Sequence, residues 1–332
     1  MDIFIVMTRT LNSNATIVAV LVGMTSAAGA QQKSASDYPL RPVRVLVGAP
    51  PGSGSDVLIR LTAQRLAAQW QHGIVVDNRP GAGGSVAFEV AARATPDGHT
   101  LIIGNSQNLT AVAARTSPVN IVTALTPIVR MSTLPFLLVI PPSLPVKSVS
   151  DLITYARGKP LVYASSGTGA ITHLGMEMLR SRAGIAMTHV PYKGSGQSMV
   201  DLMGGHIQLA LTNTLTAMPL VTGGKLRTLG VTSSQRLKSA PEIPTIAESG
   251  LPKFELIAWY GLFGPLKMPP AVLHKINRDV ARLFNSPEMR ERLAADGSEP
   301  APEISPAQFK ELLVRELGEW ESLIKSQGIK IE

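Results

Sequence analysis

Short apolar runs alternate with amphipathic runs along the first third of the chain, and loops rich in Gly, Pro and Ser join them. Residues 43–48 form a β-branched run between prolines, which predicts a buried parallel strand. Residues 57–71 follow with apolar side chains at helical spacing, which predicts a helix capped by Ser55 or Asp56. The same order returns in a strand at 74–77, a helix at 85–94 and a strand at 101–104. This order predicts a doubly wound parallel α/β sheet whose loops gather at the carboxyl ends of the strands.

The middle of the chain repeats this alternation after an extended apolar run at 134–140. That run ends in two prolines and lacks the turn residues of a hairpin, so we interpret it as a crossover into a second domain. A capping box at 148–151 predicts a helix that ends near Arg157, and 227–232 is predicted to begin the return to the first domain. The other predicted elements are strands at 161–164, 187–191 and 207–211 and helices at 171–183 and 196–203.

A loop-like segment at 233–253 and an extended segment at 254–265 precede a helical C-terminal part. The predicted helices are 270–284, 286–295 and 305–328. They are expected to pack on the first domain, which makes that domain discontinuous in sequence. We therefore assign 38–132 plus 233–332 to domain 1 and 133–232 to domain 2.

The first thirty residues have the order of a secretory leader. Arg9 precedes an apolar run at 15–24, and an A-x-A cleavage pattern ends at Ala30. We expect cleavage after Ala30 and a periplasmic protein. A membrane-spanning helix is disfavoured because the run is shorter than the ~20 apolar residues that a span needs. A further apolar stretch lies upstream of Arg9, so Met7 competes with Met1 as the true start.

Composition limits the possible functions. The 332 residues are 45% apolar, which is enough to fill two cores, and no later stretch approaches the length of a membrane span. The chain has no cysteine, which excludes disulfides, thiolate metal sites, cysteine catalysis and lipid attachment at a cysteine. The net charge of +8 is spread along the chain, so nucleic-acid binding is not expected, whereas a positive field favours the capture of small anions.

The first candidate for chemistry is the loop PPGSGSD at 50–56. A strand that ends in such a loop and continues as a helix leaves unpaired backbone N–H groups at a helix N-terminus, where the macrodipole favours an anion. Asp56 is expected to act first as a helix cap, because its carboxylate would repel an anionic ligand unless it met a ligand amine or a bridging water. The candidate ligand-binding residues here are Gly52, Ser53, Gly54, Ser55 and Asp56.

A second Gly/Ser/Thr loop, 165–169, stands at the matching place in the second half. Two such loops predict a cleft whose walls both offer backbone N–H groups and hydroxyls to a carboxylate. The alternative is that the glycines merely supply positive φ at tight turns while the serines cap helices. The candidate residues of this half are Ser165, Ser166, Gly167, Thr168, Gly169, Thr172 and His173. Asn105 and Asn213, which follow two further predicted strands, complete the set.

Motifs for cofactors, metals and hydrolysis are missing from the sequence. Gly52 and Gly54 lack the third glycine of a dinucleotide-binding fingerprint, and neither a phosphate-binding-loop motif nor a G-x-S-x-G elbow occurs. The six histidines include no H-x-x-x-H pair, so we expect neither a cofactor nor a metal. His173 and His189 fall beside predicted cleft loops. His173 could donate to a ligand oxygen as a neutral imidazole, although a structural role is the more common one.

Seven short motifs occur in an order that resembles the Bug family, the extracytoplasmic receptors of tripartite tricarboxylate transporters. They are YPLRPVR (38–44), PPGSGSD (50–56), NRPGAGG (78–84), PDG (96–98), YASSGTG (163–169), VPYKG (190–194) and GGKLR (223–227), followed by SPEMRERL (286–293). The resemblance implies a two-domain, class II periplasmic-binding-protein fold, in which crossover strands join two sheets and a carboxylated ligand lies in the interdomain cleft. It also implies that loops 52–56 and 165–169 hold this ligand.

The chain departs from the family pattern at two places. The first loop of the family commonly has a glycine and a threonine where this chain has Ser53 and Ser55. Ser53 therefore adds a Cβ where the backbone approaches a ligand. Near the end of a later strand, this chain has Asn213 between two threonines where the family often has an acidic residue. Both departures bear on the identity of the ligand more than on its class.

Three functions are compatible with these residues. The first is a monomeric solute-binding protein that captures a dicarboxylate, keto acid, acidic amino acid or aromatic carboxylate and delivers it to a tripartite tricarboxylate-type membrane permease. The second is a ligand-dependent receptor that signals to a membrane sensor. The third is an exported hydrolase that uses His173 with a loop serine such as Ser166. The sequence shows no orienting acid for that pair, so we expect no enzyme.

Overall fold

The structure is a computed structural model that describes residues 38–192, 195–295 and 297–331. The predicted leader, its cleavage after Ala30 and the choice between Met1 and Met7 lie outside these residues. Within them, ten strands form one curled sheet with helices packed against it, which confirms the α/β fold class. None of the helices in these ranges is long and apolar enough to cross a membrane.

The predicted helices 171–183 and 270–284 and the predicted strand 187–191 have the observed bounds, and most other predicted elements differ by one residue at an end. The strands are β1 (Val43–Val47), β2 (Ile74–Asn78), β3 (Thr100–Asn105), β4 (Leu125–Ile140), β5 (Leu161–Ser165), β6 (Met187–Pro191), β7 (Leu209–Asn213), β8 (Arg227–Val231), β9 (Ile257–Pro265) and β10 (Glu299–Pro300). The helices are α1 (Gly54–Trp70), α2 (Ser85–Ala92), α3 (Ser106–Ala113), α4 (Ile121–Ala124), α5 (Val149–Ala156), α6 (Ile171–Ala183), α7 (Ser195–Met203), α8 (Thr214–Thr222), α9 (Pro270–Phe284), α10 (Pro287–Ala295) and α11 (Pro306–Gln327).

The first predicted parallel group is present around β1, which lies between β2 and β3 and runs parallel to both. Its side chains alternate between two cores. Val45 and Val47 join the core that α1 and α9 cover, whereas Leu46 joins the core under α2, α3 and α11. Helices therefore cover both faces, and the loops β1–α1 and β3–α3 meet at one edge of the sheet.

β5 lies between β6 and β7 in a second parallel group, so the β5–α6 and β7–α8 loops also meet at one sheet edge. β4 joins the two groups. From Leu125 to Pro135 it pairs with β9, and from Phe136 onward it pairs with β7 and β8. The extended run predicted at 134–140 is confirmed as the second part of this strand, whereas its role as a crossover into a second domain stays a prediction.

The sequence pattern does not predict the first half of β4, because Pro127 and Arg130 interrupt its apolar run. The sheet accommodates both with register shifts against β9. The pattern also misses α3, α4 and α8. Asn105 both ends β3 and caps α3, which leaves no loop to mark the change, and α8 contains Pro219 among β-branched residues.

The segment between β8 and β9 is predicted as a loop up to 253, but part of it belongs to the core beside β5. Its buried members are Ile246, Leu251, Phe254 and Leu256. The extended segment predicted at 254–265 is a strand only from Ile257 onward. The assignment of 38–132 plus 233–332 and of 133–232 to two domains stays a prediction.

α11 packs on both groups of strands. Phe309 and Leu313 are buried in the core that contains Leu46, whereas Trp320 contacts that core and the core beside β5. Near the end of α11, the side-chain amide of Gln327 accepts a hydrogen bond from Arg180 and donates one to Ser181, each at 3.0 Å. The C-terminal helix therefore ties the first group to α6 of the second.

Candidate functional site

The first candidate loop turns directly from β1 into α1. Gly52 has a φ of +82°, and the helix begins two residues later at Gly54 with Ser53 as its N-cap. Ser53 Oγ accepts the backbone N–H of Asp56 at 3.4 Å. The prediction of Ser55 or Asp56 as the cap is wrong, because the helix begins earlier than its apolar spacing indicates. Gly52 and Gly54 are exposed, whereas Ser55 is buried with its Oγ 3.4 Å from Ser53 Oγ.

Asp56 points into the protein and holds this loop. One carboxylate oxygen accepts the N–H of Gly52 at 2.8 Å, the other accepts Asn78 Nδ2 at 2.9 Å, and Arg60 Nε lies 3.0 Å from both. The hydrogen bond from Arg60 is the main reason why the pKa of Asp56 falls to about 2. The buried carboxylate is thus ionised and compensated by Arg60, which reduces its repulsion of an anion in front of the loop.

The second candidate loop is held by its own hydroxyls. Ser165 Oγ donates to the carbonyl of Gly167 at 3.0 Å, accepts the N–H of Gly167 at 3.2 Å, and lies 2.7 Å from His189 Nε2. Thr172 Oγ1 accepts the N–H of Ser166 at 3.0 Å and lies 2.9 Å from Ser166 Oγ. These bonds fix a turn in which Gly167 has a φ of +137°, a conformation that strains any other residue.

The exposed part of the second loop offers hydroxyl groups and an uncapped helix start. Ser166 and Thr168 are exposed, and α6 begins just after them. Its N-cap is Ala170, whose side chain has no acceptor for the N–H groups of the first turn. Ser53, Asn105 and Asn213, in contrast, supply such an acceptor to α1, α3 and α8. The start of α6 is therefore suited to accept an external anion.

Two histidines stack beneath this loop. The rings of His173 and His189 lie 3.8 Å apart between centroids with an interplanar angle of 10°, and Tyr163 stacks on His189 at 5.1 Å. Burial lowers the pKa of both imidazoles, that of His189 to about 4, so both are neutral near pH 7. His173 Nδ1 accepts the N–H of Gly169 at 3.1 Å. His173 therefore supports the loop from below.

The arrangement does not assemble the serine–histidine pair of the hydrolase alternative. Ser166 Oγ bonds with Thr172, and His173 Nδ1 is occupied by the N–H of Gly169. Nucleophilic catalysis needs the base within hydrogen-bond reach of the hydroxyl that it activates. In the part of the chain that the structure describes, no hydrogen bond joins Ser166 to His173.

Asn105 and Asn213 occupy equivalent places in the two groups. Each ends a strand and caps the following helix: Asn105 Oδ1 accepts the N–H of Asn108 at 3.2 Å, and Asn213 Oδ1 accepts that of Thr216 at 2.8 Å. β3 pairs with β1 and β7 pairs with β5. The structure therefore brings Asn105 to the sheet edge of the first loop and Asn213 to that of the second.

Contacts between the two groups bring these edges together. Gln107 Nε2, in the first turn of α3, donates to the carbonyl of Gly169 at 3.5 Å. Thr214 Oγ1, in the first turn of α8, donates to the carbonyl of Gly297 at 3.1 Å. The sequence pattern does not identify Gln107, because it predicts no helix after Asn105. Recognition of Asn105 as a helix cap at the end of β3 would have placed Gln107 in the first turn of a helix at this edge.

Tyr260 is a second residue that sequence reasoning misses at this site. It lies on β9 opposite Asn105. A Cβ added to Gly54 would lie only 2.6 Å from its hydroxyl, so the end of the phenol lies against the first loop. The sequence predicts an extended segment that carries Trp259 and Tyr260 but gives no sign of which ring faces the site. Trp259 is buried on the other face, where its ring contacts Phe309.

Comparisons with known proteins show which family this chain resembles. The family model described as "Tripartite tricarboxylate transporter family receptor" (TctC) matches residues 58–329. BugT of Bordetella pertussis is 30% identical over 97% of this chain and all of its own length. The solved structure of R. palustris Rpa4515 with adipate has 34% identity and a TM-score of 0.72, covering 88% of this chain and 99% of the other. MatC from Rhodopseudomonas palustris with bound malate has 30% identity and a TM-score of 0.68, covering 86% and 100%.

Proposed function

The chain belongs to the TctC family of tripartite tricarboxylate transporter receptors, and from this membership we propose that it captures a small carboxylated solute and delivers it to a tripartite tricarboxylate-type membrane permease. The family consists of periplasmic solute-binding receptors of the Bug type. The proposed solute is a dicarboxylate, a keto acid, an acidic amino acid or an aromatic carboxylate. The observation that carries the proposal is the pair of loops, 52–56 and 165–169, each at a strand end that begins a helix.

The second loop is the proposed anchor of one carboxylate. Ser166 and Thr168 present hydroxyls there, and the helix that follows begins without a side-chain cap. Hydrogen bonds to a charged acceptor stabilise by about 1.5 to 3 kcal/mol each. The loop carries no acidic side chain, and both histidines beneath it are neutral. Its attraction for a carboxylate therefore comes from the hydroxyls of Ser166 and Thr168, the uncapped N–H groups of the first turn of α6 and the helix dipole.

The first loop is the proposed partner for the far end of the solute. Gly52 and Gly54 leave its backbone exposed, Tyr260 adds a ring beside it, and Arg60 compensates the carboxylate of Asp56. A solute with polar groups at both ends can engage both loops, which favours dicarboxylates within the proposed class. Adipate in Rpa4515 and malate in MatC are dicarboxylates of different length, and they support this choice.

A thermal-shift screen tests ligand capture. The chain from residue 31 onward, unfolded and refolded to remove carried-over ligand, is screened against malate, adipate, 2-oxoglutarate, glutamate and benzoate. A ligand present at 100 times its Kd should stabilise the protein by about 2.7 kcal/mol. We expect such a shift with at least one dicarboxylate and none with its diamide. Absence of a shift with every carboxylate would contradict the proposal.

Delivery to a permease needs a separate test. Membranes that contain the cognate transport subunits are incubated with the receptor with and without its carboxylate. Ligand-dependent retention of the receptor together with uptake of labelled solute is the expected result. Retention without uptake would leave solute capture intact and would contradict the transport role.

A further inference from the structure

A cavity of about 1030 Å³ lies between α11 and the sheet. Its walls come from β4, α6, α11 and the segment before β9, and none of the candidate ligand-binding residues lines it. We call it the α11 cavity. Its volume is at the upper end of the range found for small-molecule sites, so the size suits an organic ligand of moderate length.

Arg130 is a half-buried cation in the lining of the α11 cavity. It lies on β4 opposite Gly261, and the side chains of this pair face α11, since a Cβ at Gly261 would lie 2.7 Å from the ring of Phe309. Among residues 38–192, 195–295 and 297–331, Arg130 Nε is buried without a hydrogen-bond partner. Burial lowers the pKa of the guanidinium, yet arginine stays charged at neutral pH. An anionic acceptor in contact with the guanidinium would recover part of the desolvation penalty of this charge.

The acids that act on Arg130 do not supply that acceptor. Glu316 Oε2 accepts a hydrogen bond from Trp259 Nε1 at 2.9 Å, and burial raises the pKa of the Glu316 carboxyl. Glu255 influences Arg130 through its charge rather than through a hydrogen bond. Basic side chains also outnumber acidic ones in the lining of the cavity. Over the whole lining the balance of charge therefore favours an anionic occupant, while the charges that act on Arg130 itself are Glu316, Glu255 and Arg315.

The rest of the cavity wall includes a substantial apolar area. Leu256 comes from the segment before β9, Met178 from α6, and Trp320 and Leu323 from α11. This combination differs from the loops at 52–56 and 165–169, which offer hydroxyls and backbone N–H groups. A ligand that pairs with Arg130 and also packs against these apolar side chains must have an anionic group attached to an apolar body.

We propose that the α11 cavity is a second ligand site, which binds an organic carboxylate with an apolar body. The carboxylate accepts hydrogen bonds from the guanidinium of Arg130, in the planar geometry that this pair favours. The apolar body packs against Leu256 and Trp320. The site is independent of the proposed solute cleft, so it can be present whether or not the cleft binds a dicarboxylate.

Calorimetric titration of the refolded chain with sodium octanoate tests this site. We expect saturable binding, at least tenfold weaker binding to Arg130→Met, and weak binding of octanamide to both proteins. Arg93→Met is the matched control, because the side chain of Arg93 is 82% exposed and lies outside the cavity, and it should bind octanoate like the wild type. Circular dichroism and thermal unfolding verify that each variant is folded.

Two further outcomes would overturn the proposal. Equal binding of octanoate and octanamide to the wild type would show that the guanidinium makes no contribution, and this comparison holds even if Arg130→Met fails to fold. Loss of octanoate binding in Gly167→Val would place the octanoate in the solute cleft. In contrast, a wild type that binds octanoate but none of the carboxylates of the thermal-shift screen would contradict the proposed function and leave the second site in place.

Discussion

At the scale of single residues, Asp56 shows how an acid can be compensated in a loop that we propose to face an anion. Its buried carboxylate accepts hydrogen bonds from Gly52, Asn78 and Arg60. Its folded pKa of about 2 lies below the ordinary value of 3.8, so its contribution to stability is present above about pH 4 and is lost as the pH falls towards 2.

We therefore expect Asp56→Asn to lower the free energy of unfolding at pH 7 by about 1 to 2 kcal/mol. This value is smaller than the full free energy of the pKa shift, because Arg60 is half-exposed and solvent screens its charge. Urea unfolding of both proteins at a series of pH values measures the difference. It should stay constant from pH 7 to about 5 and become smaller below about pH 4. A difference that does not change with pH would contradict the role of the ionised carboxylate.

The stacked histidines predict a second and separate pH range. Each has a folded pKa below its ordinary value of 6.5, that of His189 at about 4, because of burial. Glu177 opposes this shift, although its carboxylate also accepts from Tyr163 at 2.5 Å and from Arg180. A lowered histidine pKa stabilises the fold above pH 6.5, and this stability is lost as the pH falls towards 4.

His189→Phe keeps a ring in the stack and removes one titrating group. Between pH 6.5 and 4, the wild type should lose about 2 kcal/mol more unfolding free energy than this variant. Parallel pH profiles for the two proteins, measured by urea unfolding, would show that His189 does not titrate in this way. Glu177→Gln is a useful comparison, because it removes the acid that favours the charged imidazoles.

At the scale of elements, the sequence predicts those that are bounded by strong local signals. α6 lies between a glycine loop and Gly184 in the left-handed region, and α9 begins with Pro270. α3 and α8 are missed because each begins directly after the last residue of a strand, where the pattern shows no break. The two candidate loops are found from their glycines and hydroxyls. Gln107 and Tyr260 are missed because strand pairing and contact between distant segments bring them to the site.

The segment after α11 links an element to the candidate site. A Cβ on Gly169 would lie 3.0 Å from Cγ2 of Ile331, so this side chain packs against the second loop. We expect Ile331→Ala to weaken carboxylate binding about three- to tenfold, because the loop loses part of its support, with little change in Tm. Exposed Lys330→Ala is the control. Calorimetric titration measures both, and equal affinities would show that this contact does not position the loop.

At the scale of the whole molecule, the chain passes between the two groups of strands at few places. β4 changes partner between Pro135 and Phe136, and the chain returns where Leu256, in the second core, precedes Ile257 of β9. Relative motion of the two groups is therefore expected to occur through bending at these positions. α11 packs on both groups and limits how far they separate. On the proposed function, a bound dicarboxylate holds the two loop edges together.

The most direct test of this account is calorimetric titration of the best dicarboxylate from the screen into three proteins. Gly167→Val forces a branched residue into a φ of +137° and should distort the second loop, whereas Gly158→Val is a control in open space at an exposed turn. We predict at least a hundredfold loss of affinity for Gly167→Val and an unchanged Kd for Gly158→Val, with both proteins folded. Binding of the dicarboxylate to Gly167→Val with the Kd of the wild type would contradict the central claim that the loop at 165–169 holds the solute.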